Sequence, residues 1–368
     1  MSLPLSPASA TAAVLWGGLA LGVLLGAAAQ ASRFCTMGGL SDWFAYRGTP
    51  RLMMWVLAVA VAASLSMGLV LGGVLDVSRS VPWGDRLFWL SYLVGGTVFG
   101  AGMVIASGCP QRNLVRLGSG SLKALVTLLV IAVSAQMTLR GLFAEGRTRF
   151  LDSTAVQLAG PQDLGYLLSV LGGLSAAQWR GVVLALVVVV AAVLLWRNRA
   201  QMDAGHWMGG VAVGLLVPAA WVLTGLVGYL PEHPDTLEPA WLGTATKRPE
   251  ALSFTAPVAH SIDLLTFWSD RNTTASFGVL LALGVVLGSA LSAKLRGEFR
   301  VEGFKDTADL RGHLLGGVMM GFGGVTAMGC SIGQGISGLS LLSGGAVLAV
   351  AGIVLGVWAA LKWQMRGL

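Results

Sequence analysis

The chain has three cysteines, and each lies in a short, polar, glycine-flanked element. The elements read Ser32-Arg33-Phe34-Cys35-Thr36-Met37-Gly38-Gly39, Ser107-Gly108-Cys109-Pro110-Gln111-Arg112-Asn113 and Met328-Gly329-Cys330-Ser331-Ile332-Gly333-Gln334-Gly335. Proline suits the first position of a helix, so Pro110 makes Cys109 the N-cap of a helix that begins where an apolar run breaks. A helix that starts inside a membrane presents free N–H groups and the positive end of its dipole. Such ends bind anions without a buried lysine, and a thiol beside them adds a weak S–H donor. These residue types point to a route for a small sulfur-containing anion, its oxygens on backbone N–H groups and its terminal sulfur on a thiol. The thiols are expected to be neutral during passage, because a thiolate would repel an arriving dianion at low dielectric. Gln111, Asn113 and Gln334 serve either to donate to substrate oxygens or to cap broken backbone. Arg112 and Arg33 serve either to draw anions inward or to anchor the chain at a membrane face.

The elements that hold these residues are apolar. Of 368 residues, 55% are hydrophobic and only 11% charged, and mean hydropathy is +0.75. A soluble domain carries about 25% charged residues, and a disordered chain has far less apolar content. With three cysteines the chain is no disulfide scaffold. The composition is that of an all-α, polytopic membrane protein. Runs free of Asp, Glu, Lys and Arg, judged against the roughly 20 residues needed to cross hydrocarbon, predict nine spans. They lie near 11–31, 52–75, 87–107, 120–140, 179–196, 206–230, 272–293, 312–329 and 343–361. The first is expected to be an uncleaved span, since no basic residue precedes it.

Most of the 24 lysines and arginines fall on one side if the N-terminus is outside. The inner connections then hold Arg33, Arg47 and Arg51; Arg112, Arg116 and Lys123; Arg197 and Arg199; and Lys294 through Arg311; Lys362 and Arg366 close the C-terminus inside. This inner excess accounts for the formal charge of +7, and no basic run interleaved with aromatics suggests nucleic-acid binding.

Two stretches match each other. Residues 95–109 (GGTVFGAGMVIASGC) and 316–330 (GGVMMGFGGVTAMGC) share glycines and the closing Gly-Cys. Residues 22–31 and 284–293 also match, at a different offset, which implies an extra segment, such as 52–75, in the first half. The chain reads as one transmembrane transport domain over 1–368, with repeat halves 11–140 and 272–362 and an outer loop 231–271, where 251–270 is a candidate to dip into the membrane. Halves of this kind form substrate sites at their interface. The glycine pairs Gly22/Gly26, Gly96/Gly100, Gly284/Gly288 and Gly317/Gly321 are first of all helix-packing seams.

Other chemistries lack support. No lysine follows a glycine, so no phosphate-binding loop ends in G-K-[ST]. The four histidines are scattered. A soft-metal carrier would want C-x-x-C or methionine ladders. A sulfurtransferase or redox protein forming a cysteine persulfide would want a base or resolving thiol near a cysteine.

The three elements SRFCTMGG, SGCPQRN and MGCSIGQG resemble those of the YeeE/YedE family of bacterial inner-membrane sulfur-compound transporters, over about residues 15–360. That resemblance implies thiosulfate uptake through a helical protein with short re-entrant helices around the cysteines. It implies that Cys35, Cys109 and Cys330 relay the substrate, with Cys109 foremost, flanked by Gly108, Gly329, Pro110, Gln111, Arg112, Ser331, Gln334 and Arg33. It also implies no cofactor and a separate cytosolic sulfur carrier of the TusA type. Selenium compounds are the alternative substrate, and the persulfide-forming protein the alternative chemistry.

Overall fold

The computed structural model describes residues 6–234, 237–270 and 273–366. Fourteen α-helices carry the fold among them. The first group is α1 (Pro7–Ser32), the six-residue α2 (Thr36–Ser41), α3 (Pro50–Leu71), α4 (Trp89–Ile105), the short α5 (Pro110–Gly118) and α6 (Leu122–Leu139). Two short helices, α7 (Leu142–Gly146) and α8 (Leu164–Ser169), lead to α9 (Ala176–Asn198). The last group is α10 (Ala204–Val222), α11 (Thr255–Thr266), α12 (Phe277–Leu295), α13 (Thr307–Thr326) and α14 (Gly344–Arg366). The strands among the described residues are two-residue pairs, 86–87 with 156–157 and 229–230 with 240–241.

Local chemistry fixes the helix starts. Proline opens α1, α3 and α5. Asp203 caps α10 through the His206 N–H at 2.8 Å, and Asp306 caps α13 through the Asp309 N–H at 2.7 Å.

Each of the nine expected spans coincides with a helix, and eight of these are long and apolar enough to cross a membrane. The exception is α13, expected as the span 312–329. Its first turns carry Asp309, Arg311 and His313, and its remainder is glycine-rich, so its mean hydropathy is low. Helix neighbours rather than lipid cover its glycine faces, and so it does not need a uniformly apolar surface.

Glycine seams hold the bundle. A Cβ on Gly102 would lie 2.8 Å from the Gly316 carbonyl oxygen, and one on Gly316 would lie 2.6 Å from the Gly102 carbonyl oxygen. Gly95 and Gly323 face each other in the same reciprocal way. Helices α4 and α13 therefore cross antiparallel with backbones in contact. Gly96 and Gly100 turn to α14, while Gly317 and Gly321 turn to α6. Gly22 and Gly26 meet Leu281 and Val285 of α12, four residues on in each helix, so α1 and α12 run parallel.

The neighbour relations repeat when one set of helices is exchanged for another. Helix α4 packs on α14 as α13 packs on α6, and α1 packs on α12 as α10 packs on α3. Helix α2 packs on α3 and α14 as α11 packs on α12 and α6. In this exchange α1 answers to α10 and α3 to α12, with α9 left over. The likeness between 22–31 and 284–293 instead marks a seam between two touching helices, where both sides need small residues. The stretch 231–271 is also more than a loop, because α11 lies within it and buries Thr255, Pro257, Val258 and Ala259.

Candidate functional site

Three helices stop in the same way, each followed by a left-handed residue two positions before a cysteine. Arg33, Ser107 and Met328 each take a left-handed backbone conformation, with φ of 55°. The next N–H reaches back five residues: Phe34 to the Ala29 carbonyl (3.1 Å), Gly108 to Met103 (2.8 Å) and Gly329 to Gly324 (2.8 Å). This closure satisfies the helix's last carbonyls and turns the chain. A new segment then starts at or just after the cysteine: α2 after Cys35, α5 after Cys109, and a tight turn leading into the wide helical turn Gly333–Gly338 after Cys330.

All three cysteines are free and buried. Cys35 N-caps α2, its Sγ accepting the Gly38 N–H at 3.3 Å. Cys330 Sγ accepts the Gly333 N–H, also at 3.3 Å. Cys109 N-caps α5 with no cap bond to its sulfur. Its neighbours are Cys35 and Cys330, the Ser331 side chain and the Arg112 backbone N–H. The last two approach Sγ without meeting hydrogen-bond geometry. The three elements, distant in sequence, thus converge on Cys109. No three His, Cys, Asp or Glu side chains among the described residues are arranged to hold a metal ion.

Several polar groups around this cluster are buried without a hydrogen-bond partner: both amide atoms of Gln111, Asn113 Oδ1, Arg112 Nη1, Ser331 Oγ and Thr36 Oγ1. Buried polar groups are nearly always paired, and these unpaired ones gather around the cysteines. Arg112 lies in electrostatic range of Cys35 and Cys109, with Arg51 and Arg116 as its basic neighbours. Arg51 packs over Gly38 and holds Asp42 through two bonds, of 2.6 and 2.8 Å.

The expected site residues divide on geometry. Gln111, Arg112 and Ser331 join Cys35, Cys109 and Cys330, while Gly108, Gly329 and Pro110 shape the breaks. Gln334 spends its amide N–H on the Ala327 carbonyl at 2.7 Å, and Asn113 donates to the carbonyls of Gly108 and Cys109 at 3.2 and 3.1 Å. Both amides therefore cap broken backbone. Arg33 does not join the cluster. Its side chain is 77% exposed and lies 4.0 Å from Glu298, because the left-handed residue precedes the turn while Arg112 follows it. Thr36 and Trp55 were not expected. Thr36 stands one residue past Cys35, as Pro110 does past Cys109. Trp55 packs against Gly335, where a Cβ would lie 3.3 Å from the indole, and a tryptophan in a span carries no sequence signal of its own.

Two cavities flank the cluster. One, of about 140 Å³, lies among the ends of α10 and α12, the loop before α11, and α11 itself. Met328, Gly333 and Gln334 form its floor, and Glu250, Ser253, His260 and Ser276 stand in its wall. The other, of about 190 Å³, lies between α2, α3 and α14 and touches Thr36, Trp55, Ser331 and Gly335.

Comparison with known proteins gives a consistent picture. The family model described as sulphur transport matches residues 31–359. A thiosulfate transporter, TsuA, of Escherichia coli (strain K12) is 28% identical over 357 residues, spanning 94% of this chain and 94% of the relative. A thiosulfate transporter TsuA of Spirochaeta thermophila is 24% identical over 353 residues, spanning 94% of this chain and 97% of that protein.

Proposed function

This chain belongs to the sulphur-transport family, and from that premise we propose that it imports thiosulfate, or a close sulfur oxyanion, across a bacterial inner membrane. The N-terminus is outside and the C-terminus cytoplasmic, with two inverted halves, α1–α6 and α10–α14, meeting at the cysteine cluster. In that orientation the 140 Å³ cleft opens outward. The anion enters it, passes Cys330, reaches Cys109 and leaves past Cys35 toward Arg112.

The observation that carries this reading is the convergence of three helix breaks on one buried thiol, ringed by polar groups without partners. Anion oxygens take the free N–H groups at the start of α5, the Ser331 and Thr36 hydroxyls and the Gln111 amide. The Cys109 S–H, free of any cap bond, meets the terminal sulfur. Because the donors are fixed by backbone turns, they need little reorganisation to replace the anion's water. Passage of the anion intact is favoured over persulfide formation, since among the described residues the groups interacting with Cys109 are Cys35, Cys330, Ser331 and Arg112, with no histidine or carboxylate to serve as a base.

Moving a dianion into a cell that is negative inside costs about 4.6 kcal/mol at 100 mV, from roughly 2.3 kcal/mol per charge. Consumption by a separate cytosolic TusA-type carrier supplies part of the inward gradient. The test is uptake of labelled thiosulfate, sulfate and selenite by cells with and without this chain. Thiosulfate accumulation that depends on the chain supports the reading, and uptake of selenite alone redirects it.

A further inference from the structure

The outer cleft contains one acid. Glu250 stands half-buried in its wall, between the end of α10 and α11. One oxygen, Oε1, accepts the Thr246 N–H at 2.9 Å and the Thr246 hydroxyl at 2.6 Å. Thr224 anchors the Glu250 backbone from α10, its hydroxyl donating to the Glu250 carbonyl at 2.6 Å. No cation pairs with the carboxylate among the described residues. Its loop neighbours Lys247 and Arg248 are exposed. The other titratable group in the wall is His260 on α11, beyond which Asp263 and Arg140 form their own ion pair at 3.8 Å. Ser276, at the start of α12, adds a buried hydroxyl with no partner to the same wall.

An ionised, unpaired carboxylate in the mouth of an anion route opposes the arriving dianion. A protonated carboxyl removes that repulsion and offers an O–H donor. Burial pushes the Glu250 carboxyl above its ordinary value, which brings its protonation closer to neutral pH.

We propose that Glu250 is a proton-binding site in the outer cleft, and that thiosulfate passes it only with the carboxyl protonated, so that external protons gate entry. This rests on the import reading above. The proton stays on Glu250 and exchanges with the outer solution.

The test uses the purified full chain in proteoliposomes, with labelled thiosulfate added outside over a range of external pH. The wild-type chain is expected to import fastest at low external pH. Its rate should fall up to about tenfold per pH unit once external pH exceeds the carboxyl's pKa. Glu250→Gln, which keeps the size but not the titration, should import at a rate independent of pH. Brisk wild-type uptake that is flat with pH overturns the proton site and leaves the import reading intact. A Glu250→Gln chain with the wild-type pH slope also overturns it. No wild-type uptake at any pH overturns both. The wild-type pH profile does not depend on any variant folding.

Discussion

Ser107 and Met328 adopt the same left-handed backbone conformation, φ 55° at each, two residues ahead of Cys109 and Cys330. Neither is glycine, and an ordinary side chain in this region is strained by about 1–2 kcal/mol. The strain is held by the closing bonds from Gly108 and Gly329. Ser107→Gly and Met328→Gly are therefore expected to raise stability by about 1 kcal/mol each, read as thermal unfolding in detergent. Ser107→Val should lower it. A loss of stability on going to glycine would mean the helices do not end in this turn.

The backbone contact between α4 and α13 gives a second expectation. Gly102→Val and Gly316→Val each force carbon into the opposing helix, at a cost of about 1–3 kcal/mol. Because the two sites touch, the double variant should depart from additivity, and a double-mutant cycle of thermal stability measures the departure. Full additivity would separate the helices.

Asp163 and Arg180 form a buried pair, Asp163 Oδ1 and Oδ2 at 2.9 and 2.8 Å from the guanidinium, with the Asp163 side chain fully inaccessible. Arg180 also stacks over Trp83 at 4.3 Å. This contact fastens α9 to the rest of the fold. Arg180→Met should destabilise the protein by about 3–5 kcal/mol by stranding the carboxylate. Arg180→Met with Asp163→Leu should recover much of that loss. Equal stabilities for the single and double variants would contradict this role.

Neutral thiols make a separate prediction. With Glu250→Gln removing the outer titration, uptake should be flat between about pH 6 and 8, because a free thiol ionises only near 8.5. A rate that climbs with pH in that variant would make thiolate the working form.

The helix breaks were legible because glycine and cysteine recur in one pattern, joined by proline after Cys109, and that pattern is local chemistry. The nine helices were legible in the charge-free runs, although α13 escapes hydropathy alone because its glycines face other helices rather than lipid. The likeness of 22–31 to 284–293 has a related physical reason, since α1 and α12 touch along those glycines. Two helices that share a seam come to resemble each other in small residues, whether or not they occupy equivalent places. Arg33 and Arg112 look alike in sequence, each close to a cysteine, and only the sense of the turn sends one to the surface and the other inward. Glu250 gave no signal, since its burial depends on α10, α11 and α12 closing around a loop.

The most direct measurement follows doubly labelled thiosulfate into cells carrying the wild-type chain, Cys109→Ser or Cys109→Ala, with membrane levels of each protein checked. The account predicts both sulfurs arriving together in wild type, weaker uptake with serine, and none with alanine at an unchanged protein level. Wild-type uptake by Cys109→Ala would contradict it.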